Sequence, residues 1–300
     1  MLTVLVLSTS IAIGAQNESR NITSSFSNVN KVRIHYLRSG KGDKTPVILI
    51  HGFGETSMMW EPVLDAIGRD RIVIAPDLRG LGDSSKPLTG FDKKTAAADI
   101  HALAESLGFK HVEVVGHDIG LMVAYAYAAQ YPEQVEKLAL MEAPLPGIGK
   151  IWEQIFNDPR LWHFHFVDSP IALDLVKGRE RLFLEHFWQT LTANQNAMSE
   201  MSRQAYARSY AQPGAMQAAF AYFQAFNRQD AEDNQVFAKS KLQMPVLTIA
   251  GDKAMGDALA IQARDVATNV TAIIFPNTGH WLMEERPVET KEALLKFLTK

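Results

Sequence analysis

His111-Val112-Glu113-Val114-Val115-Gly116-His117-Asp118-Ile119-Gly120-Leu121 decides the fold. Its β-branched first half reads as a buried strand that stops at Gly116. A helical run starts at Gly120 and continues through Leu121-Met122-Val123-Ala124-Tyr125. Between the two lies Gly-x-Asp-x-Gly, with glycines where a very tight turn leaves no room for flanking side chains. Such a turn lifts its central residue to the top of a sheet. Asp118 is therefore placed as a carboxylate nucleophile aimed at carbon, not as a general base.

The chain on either side supplies the strands and helices this turn needs. Val32-Arg33-Ile34-His35-Tyr36-Leu37 alternates and reads as an antiparallel edge strand. Pro46-Val47-Ile48-Leu49-Ile50 is a continuous apolar run of the buried parallel kind, and it leads straight into His51-Gly52-Phe53-Gly54. Residues 71–75 repeat the strand pattern, with helices expected over about 58–67 and 94–107. Lys137-Leu138-Ala139-Leu140-Met141 is the next strand. From 145 to 226 no strand pattern occurs, only helical stretches over 179–191, 198–210 and 214–226, rich in Phe, Trp, Tyr and His. Strands resume over 244–250 and 270–275, and a last helix over about 288–298 follows. This alternation predicts an α/β fold with a mostly parallel sheet. Residues 31–144 and 227–300 form its core, and 145–226 an inserted helical cap.

With 300 residues and 47% hydrophobic content, the chain can bury one large core with an insertion. A net charge of −3 without a basic run points away from nucleic acid and anionic membranes. The absence of cysteine excludes disulfides, thiolate metal sites and a cysteine nucleophile, and has no bearing on compartment. Residues 1–15 are apolar, short and end in small residues before polar Gln16-Asn17-Glu18-Ser19-Arg20. They read as a signal peptide cleaved near Gly14 or Ala15, although no Lys or Arg precedes the apolar run. Export to a periplasmic or extracellular space is expected, without stable membrane insertion, because the run is too short to span a bilayer. Residues 16–30 read as a flexible lead-in.

Around the Gly-x-Asp-x-Gly turn stand, in order, His51-Gly52-Phe53-Gly54, Met141-Glu142-Ala143-Pro144 and Gly279-His280-Trp281. With these motifs the chain resembles the epoxide hydrolase and dehalogenase branch of the α/β-hydrolase fold. It is similar in particular to the Cif-type secreted epoxide hydrolases, from about Val32 to the C-terminus, departing mainly at the N-terminus and over 147–160. The resemblance implies an α/β-hydrolase core with a helical cap and a hydroxyalkyl ester on Asp118. It implies a small apolar epoxide and water as reactants, with no metal and no organic cofactor. Similar enzymes dimerise, so a homodimer is compatible with it.

The same resemblance assigns roles. His280, after the last strand, would deprotonate the water that attacks the ester, and an imidazole suits that task at neutral pH. Glu142 would orient it, since a carboxylate at the C-terminal end of a strand faces the crevice above the sheet. Asp252 and Asp257 are off-register alternatives, because Ala254 stands at the usual acid position of that loop. The N–H groups of Phe53 and Ile119 would form the oxyanion hole. Tyr222 and His163 would donate to the epoxide oxygen, with His165 pointing differently if its stretch is extended. His51 and His117 read as structural hydrogen-bonding residues, and Glu185 and His186 as pocket-lining or structural.

Two other functions fit parts of the same pattern. A haloalkane or haloacid dehalogenase would use the same Asp nucleophile, but such enzymes place Trp or Arg directly after it, where this chain has Ile119. A non-catalytic pocket-binding member of the fold would have no reason to keep every catalytic role. An ordinary esterase is disfavoured, because attack by Asp on an ester would give an anhydride.

Overall fold

The computed structural model describes residues 21–299, so the apolar run at 1–15 lies outside the described residues. The strands are β1 (Thr23–Val29), β2 (Val32–Ser39), β3 (Lys44–Ile50), β4 (Arg71–Pro76), β5 (Val112–His117), β6 (Val135–Met141), β7 (Val246–Gly251) and β8 (Val270–Phe275). They form one sheet in the order β1-β2-β4-β3-β5-β6-β7-β8. The first two pairings, β1 with β2 and β2 with β4, are antiparallel, and all others are parallel. Val47–Ile50 and all of β5 are buried, as strands covered on both faces must be.

This order has a switch point at β3. The chain leaves β3 for β4 on one side, then crosses to β5 on the other. The loops that follow β3 and β5 therefore splay apart and leave a crevice at the C-terminal edge of the sheet. Phe53 lies just beyond β3 and Asp118 just beyond β5, so both line that crevice. The helix α3 (Ile119–Gln130) starts directly after Asp118 and is buried from Ile119 to Ala128, with apolar residues on every side.

Between β6 and β7 the chain is helical: α4 (Gly149–Phe156), α5 (His163–Phe166), α6 (Ala172–Val176), α7 (Glu180–Thr190), α8 (Glu200–Tyr210) and α9 (Ala215–Gln224). A π-turn, Phe226–Asp230, then kinks at Asn227 and Arg228 and hands the chain to α10 (Ala231–Phe237), which packs on α3. Lys93, the first residue of α2 (Lys93–Ser106), ties this region to the core. Its Nζ lies 2.5 Å from Asp230 Oδ2 and donates to the Tyr222 carbonyl at 2.6 Å. Burial lowers the Lys93 pKa and raises that of Asp230 against their mutual attraction. Among the described residues no helix is long and apolar enough to cross a membrane.

The segment read as a flexible lead-in is corrected within its described part. Thr23–Val29 is a strand paired along its whole length with β2, so β1 and not β2 is the sheet edge. Asn30 and Lys31, both at positive φ, make the tight hairpin turn. The serines hide the strand from a hydrophobic pattern, because main-chain pairing and local polar contacts hold it. Ser24 Oγ lies 2.8 Å from His35 Nε2, and the Arg33 guanidinium lies 3.6 Å over the Phe26 ring.

Candidate active site

Asp118 has φ 54 and ψ −127, a conformation that costs a non-glycine residue on the order of 1–3 kcal/mol. The surrounding backbone enforces it. A Cβ on Gly116 would lie 2.2 Å from the Gly120 carbonyl oxygen, and one on Gly120 would lie 2.4 Å from the His51 and Ile50 oxygens. The Phe53 N–H donates to Asp118 Oδ1 at 2.8 Å. That approach requires Gly52, whose Cβ would stand 2.4 Å from the Asp118 Cβ. Ile119 is fully buried and opens α3, where main-chain N–H groups have no intrahelical partner.

His280 faces the other carboxylate oxygen, with Nε2 3.5 Å from Asp118 Oδ2. Its Nδ1 lies 3.5 Å from Glu142 Oε2. Glu142 is fully buried at φ 51, and its Oε1 accepts from the Gly251 N–H at 2.6 Å and the Met255 N–H at 3.3 Å. Those two donors aim Oε2 at the imidazole. Asp252 is turned elsewhere, accepting from the Thr278 N–H at 3.2 Å, and Asp257 opens α11 (Asp257–Val266). Of the three carboxylates considered from sequence, Glu142 is the one beside His280. Burial alone would lower the His280 pKa, but the hydrogen bond with Glu142 and the charges of Asp118, Glu142 and Glu55 outweigh it and raise it to about 9.

Beneath His280 lies an acid that sequence reasoning missed. Glu55 is fully buried, with Oε2 3.0 Å from His117 Nδ1, while His117 Nε2 lies 2.9 Å from the His280 carbonyl oxygen. Burial raises the pKa of both Glu55 and nearby Glu284, and the charge of Glu55 adds to the shift of Glu284. Burial pushes the Glu55 pKa up to about 8, partly offset by His280, and burial with the His280 charge pulls His117 down to about 4. Glu55 follows the His51–Gly54 turn directly, so its nearness to the site was readable, but its protonation was not. His51 accepts from the Leu78 N–H at 3.0 Å and contacts the Gly52 oxygen at 2.8 Å, consistent with a structural role.

The cap closes over this machinery with aromatic rings. Phe53 meets Phe187 and Phe223 edge-on, with centroids 5.4 and 4.9 Å away. His163 packs against the same two rings at 4.8 and 5.5 Å and is buried. Its stretch is helical rather than extended, yet His165 does turn away, with Nε2 2.9 Å from the Phe156 oxygen. Glu185 binds Arg181 and Arg203, and His186 accepts from Trp162 Nε1 at 3.3 Å. Tyr210, at the end of α8, accepts from the Gly54 N–H at 2.8 Å and so braces the turn that carries Phe53. No pattern in the sequence marked it.

Tyr222 is not where its expected role needs it. Its hydroxyl donates to the Arg79 carbonyl at 3.2 Å, and its ring packs on Phe91, away from the crevice. One residue along α9, about 100° around the helix, Phe223 is the side chain that faces Phe53 and His163. The resemblance located the right helix turn and the wrong neighbour.

Residues 45–287 match the model of the alpha/beta hydrolase fold family. The chain is 35% identical, over 285 residues, to a protein named soluble epoxide hydrolase from Corynebacterium sp. strain C12, an alignment covering 93% of this chain and 98% of that one. The crystal structure of the Cif epoxide hydrolase from Acinetobacter nosocomialis superposes with a TM-score of 0.85 at 28% identity, covering 93% of this chain and 89% of the other. The structure of the epoxide hydrolase CorEH gives 0.84 at 33% identity, with 93% and 99% covered.

Proposed function

Because this chain belongs to the α/β-hydrolase family, we propose that it hydrolyses apolar epoxides to vicinal diols through an ester on Asp118. The observation that carries the reading is the division of labour on one carboxylate. Oδ1 is held by the Phe53 N–H, and Oδ2 is left facing His280. Similarity to proteins named epoxide hydrolases supports the choice of substrate.

The reaction balances on residues present in the site. At rest Asp118 is ionised and His280 is the imidazolium. Oδ2 attacks an epoxide carbon, the carbon–oxygen bond breaks, and its electron pair stays on the substrate oxygen beside His163. That oxygen takes a proton from His280 through water, which leaves His280 neutral. His280, oriented by Glu142, then removes a proton from a second water whose oxygen attacks the Asp118 acyl carbon. The oxyanion forms at Oδ1, where the Phe53 and Ile119 N–H groups stabilise it. Collapse expels the diol oxygen, which takes the remaining acid proton, so Asp118 is again ionised and His280 again charged.

Ile119 offers no side-chain donor to a departing halide, so no feature of the turn favours dehalogenation. Single-turnover reaction in ¹⁸O-water, with enzyme in excess, tests the reading. The first diol should carry an unlabelled oxygen from Asp118, with label left in the peptide containing Asp118. A first diol carrying one ¹⁸O would exclude the ester. Export is part of the same proposal, resting on the apolar run at 1–15, and the mature N-terminus of the expressed protein tests it.

A further inference from the structure

When an epoxide opens, the oxygen that leaves carbon stays on the substrate as an alkoxide and needs a donor. Most donors of the cap are already engaged. The Tyr222 hydroxyl donates to the Arg79 carbonyl at 3.2 Å, the Tyr210 hydroxyl to the Glu55 carbonyl at 3.3 Å, and Trp162 Nε1 to His186 at 3.3 Å. His163 is different: it is 6% exposed, and its Nδ1 has no hydrogen-bond partner among the described residues. The α9 position whose ring touches both Phe53 and His163 could have carried a second hydroxyl, and it carries Phe223.

We infer that His163 meets the leaving oxygen with no second hydroxyl beside it, because Phe223 stands at that α9 position, and that this restricts the site to epoxides whose reacting carbon bears an aryl or vinyl group. This rests on the epoxide reading above and names its substrate class. Burial, offset in part by the Asp118 charge, lowers the His163 pKa to about 3, so the ring stays neutral at working pH. A neutral imidazole gives the alkoxide one hydrogen bond and no proton. The Asp118 Oδ2–carbon bond thus forms, and the carbon–oxygen bond breaks, before the oxygen is protonated from the His280 side. Barrier lowering must then come from carbon. An aryl or vinyl group supplies it by delocalising the positive charge that develops there, and phenylalanine ring faces attract such charge. Attack is accordingly expected at the substituted carbon.

The test compares kcat/KM for styrene oxide and 1,2-epoxyhexane. The parent protein should favour styrene oxide by about tenfold or more, the equivalent of one lost hydrogen bond. Phe223→Tyr, which sets a hydroxyl beside His163, should raise the rate on 1,2-epoxyhexane several-fold more than on styrene oxide. Should that variant fold poorly, the parent protein alone decides through para-substituted styrene oxides. Electron-donating substituents should speed ester formation, and after repeated turnover in ¹⁸O-water the label should lie at the benzylic carbon. Equal kcat/KM for the two substrates, or rates indifferent to the para group, would overturn this inference and leave the epoxide reading standing. Turnover of neither substrate, with no adduct on Asp118, would remove both.

Discussion

His280 stands between two carboxylates, Asp118 and Glu142, each 3.5 Å away. Esterification removes the Asp118 charge, and with it one of the influences that raise the imidazole pKa to about 9. The base that activates water is thus produced by the step that precedes its use. Ester hydrolysis, followed by stopped flow, should rise with pH and level off with an apparent pKa below the His280 value in the free protein read by NMR. Coincident midpoints would contradict this coupling. Glu55 makes a prediction about stability. Its pKa is about 8 folded against an ordinary value of 4.5, so between those pH values the folded chain holds a proton the unfolded chain has released. Stability therefore falls as pH rises through that window. Glu55→Gln keeps the neutral form and cannot titrate, so its Tm should decline less between pH 6 and 9 than that of the parent. Parallel declines would show that Glu55 is not protonated in the fold.

The elements around the nucleophile separate folding from chemistry. A methyl on Gly120 would strike the backbone oxygens of Ile50 and His51, which β3 cannot move, so Gly120→Ala should cost about 3 kcal/mol or more in denaturant unfolding. A methyl on Gly52 would strike mainly Asp118 itself. Gly52→Ala should therefore retain most stability while losing about 100-fold or more in kcat, the scale of a misplaced reacting group. A loss of stability as large as that of Gly120→Ala would refute the distinction. The β3 and β5 turns were legible because tight geometry demands particular residues in order. The α9 helix was not legible to the same degree. Its less buried stripe is Gln217, Ala221 and Gln224, and Tyr222 and Phe223 are both buried off it, so the pattern does not show which of the two adjacent aromatics meets the site. Thr23–Val29 failed to announce itself for the opposite reason, since an edge strand held by backbone pairing needs few apolar residues.

For the molecule as a whole, sheet order and cap attachment together make the site. The switch point at β3 gathers the Phe53 and Asp118 turns, and Glu142 and His280 follow β6 and β8 at the same edge. That much was readable from strand order and motifs. The cap's grip on the core was not, because Lys93 and Asp230 look like surface charges until both are found 3% and 1% exposed. Asp230→Ala would strand a buried lysine, and a loss of about 3–5 kcal/mol in unfolding free energy is expected. A loss under about 1 kcal/mol, typical of an exposed pair, would mean that the pair does not anchor the cap. The central claim, an ester on Asp118, is tested most directly by intact mass and peptide mapping of the His280→Gln variant incubated with styrene oxide. The account predicts a gain equal to the whole epoxide mass, located on the peptide containing Asp118. An unmodified protein, under conditions where the parent forms diol, would contradict it.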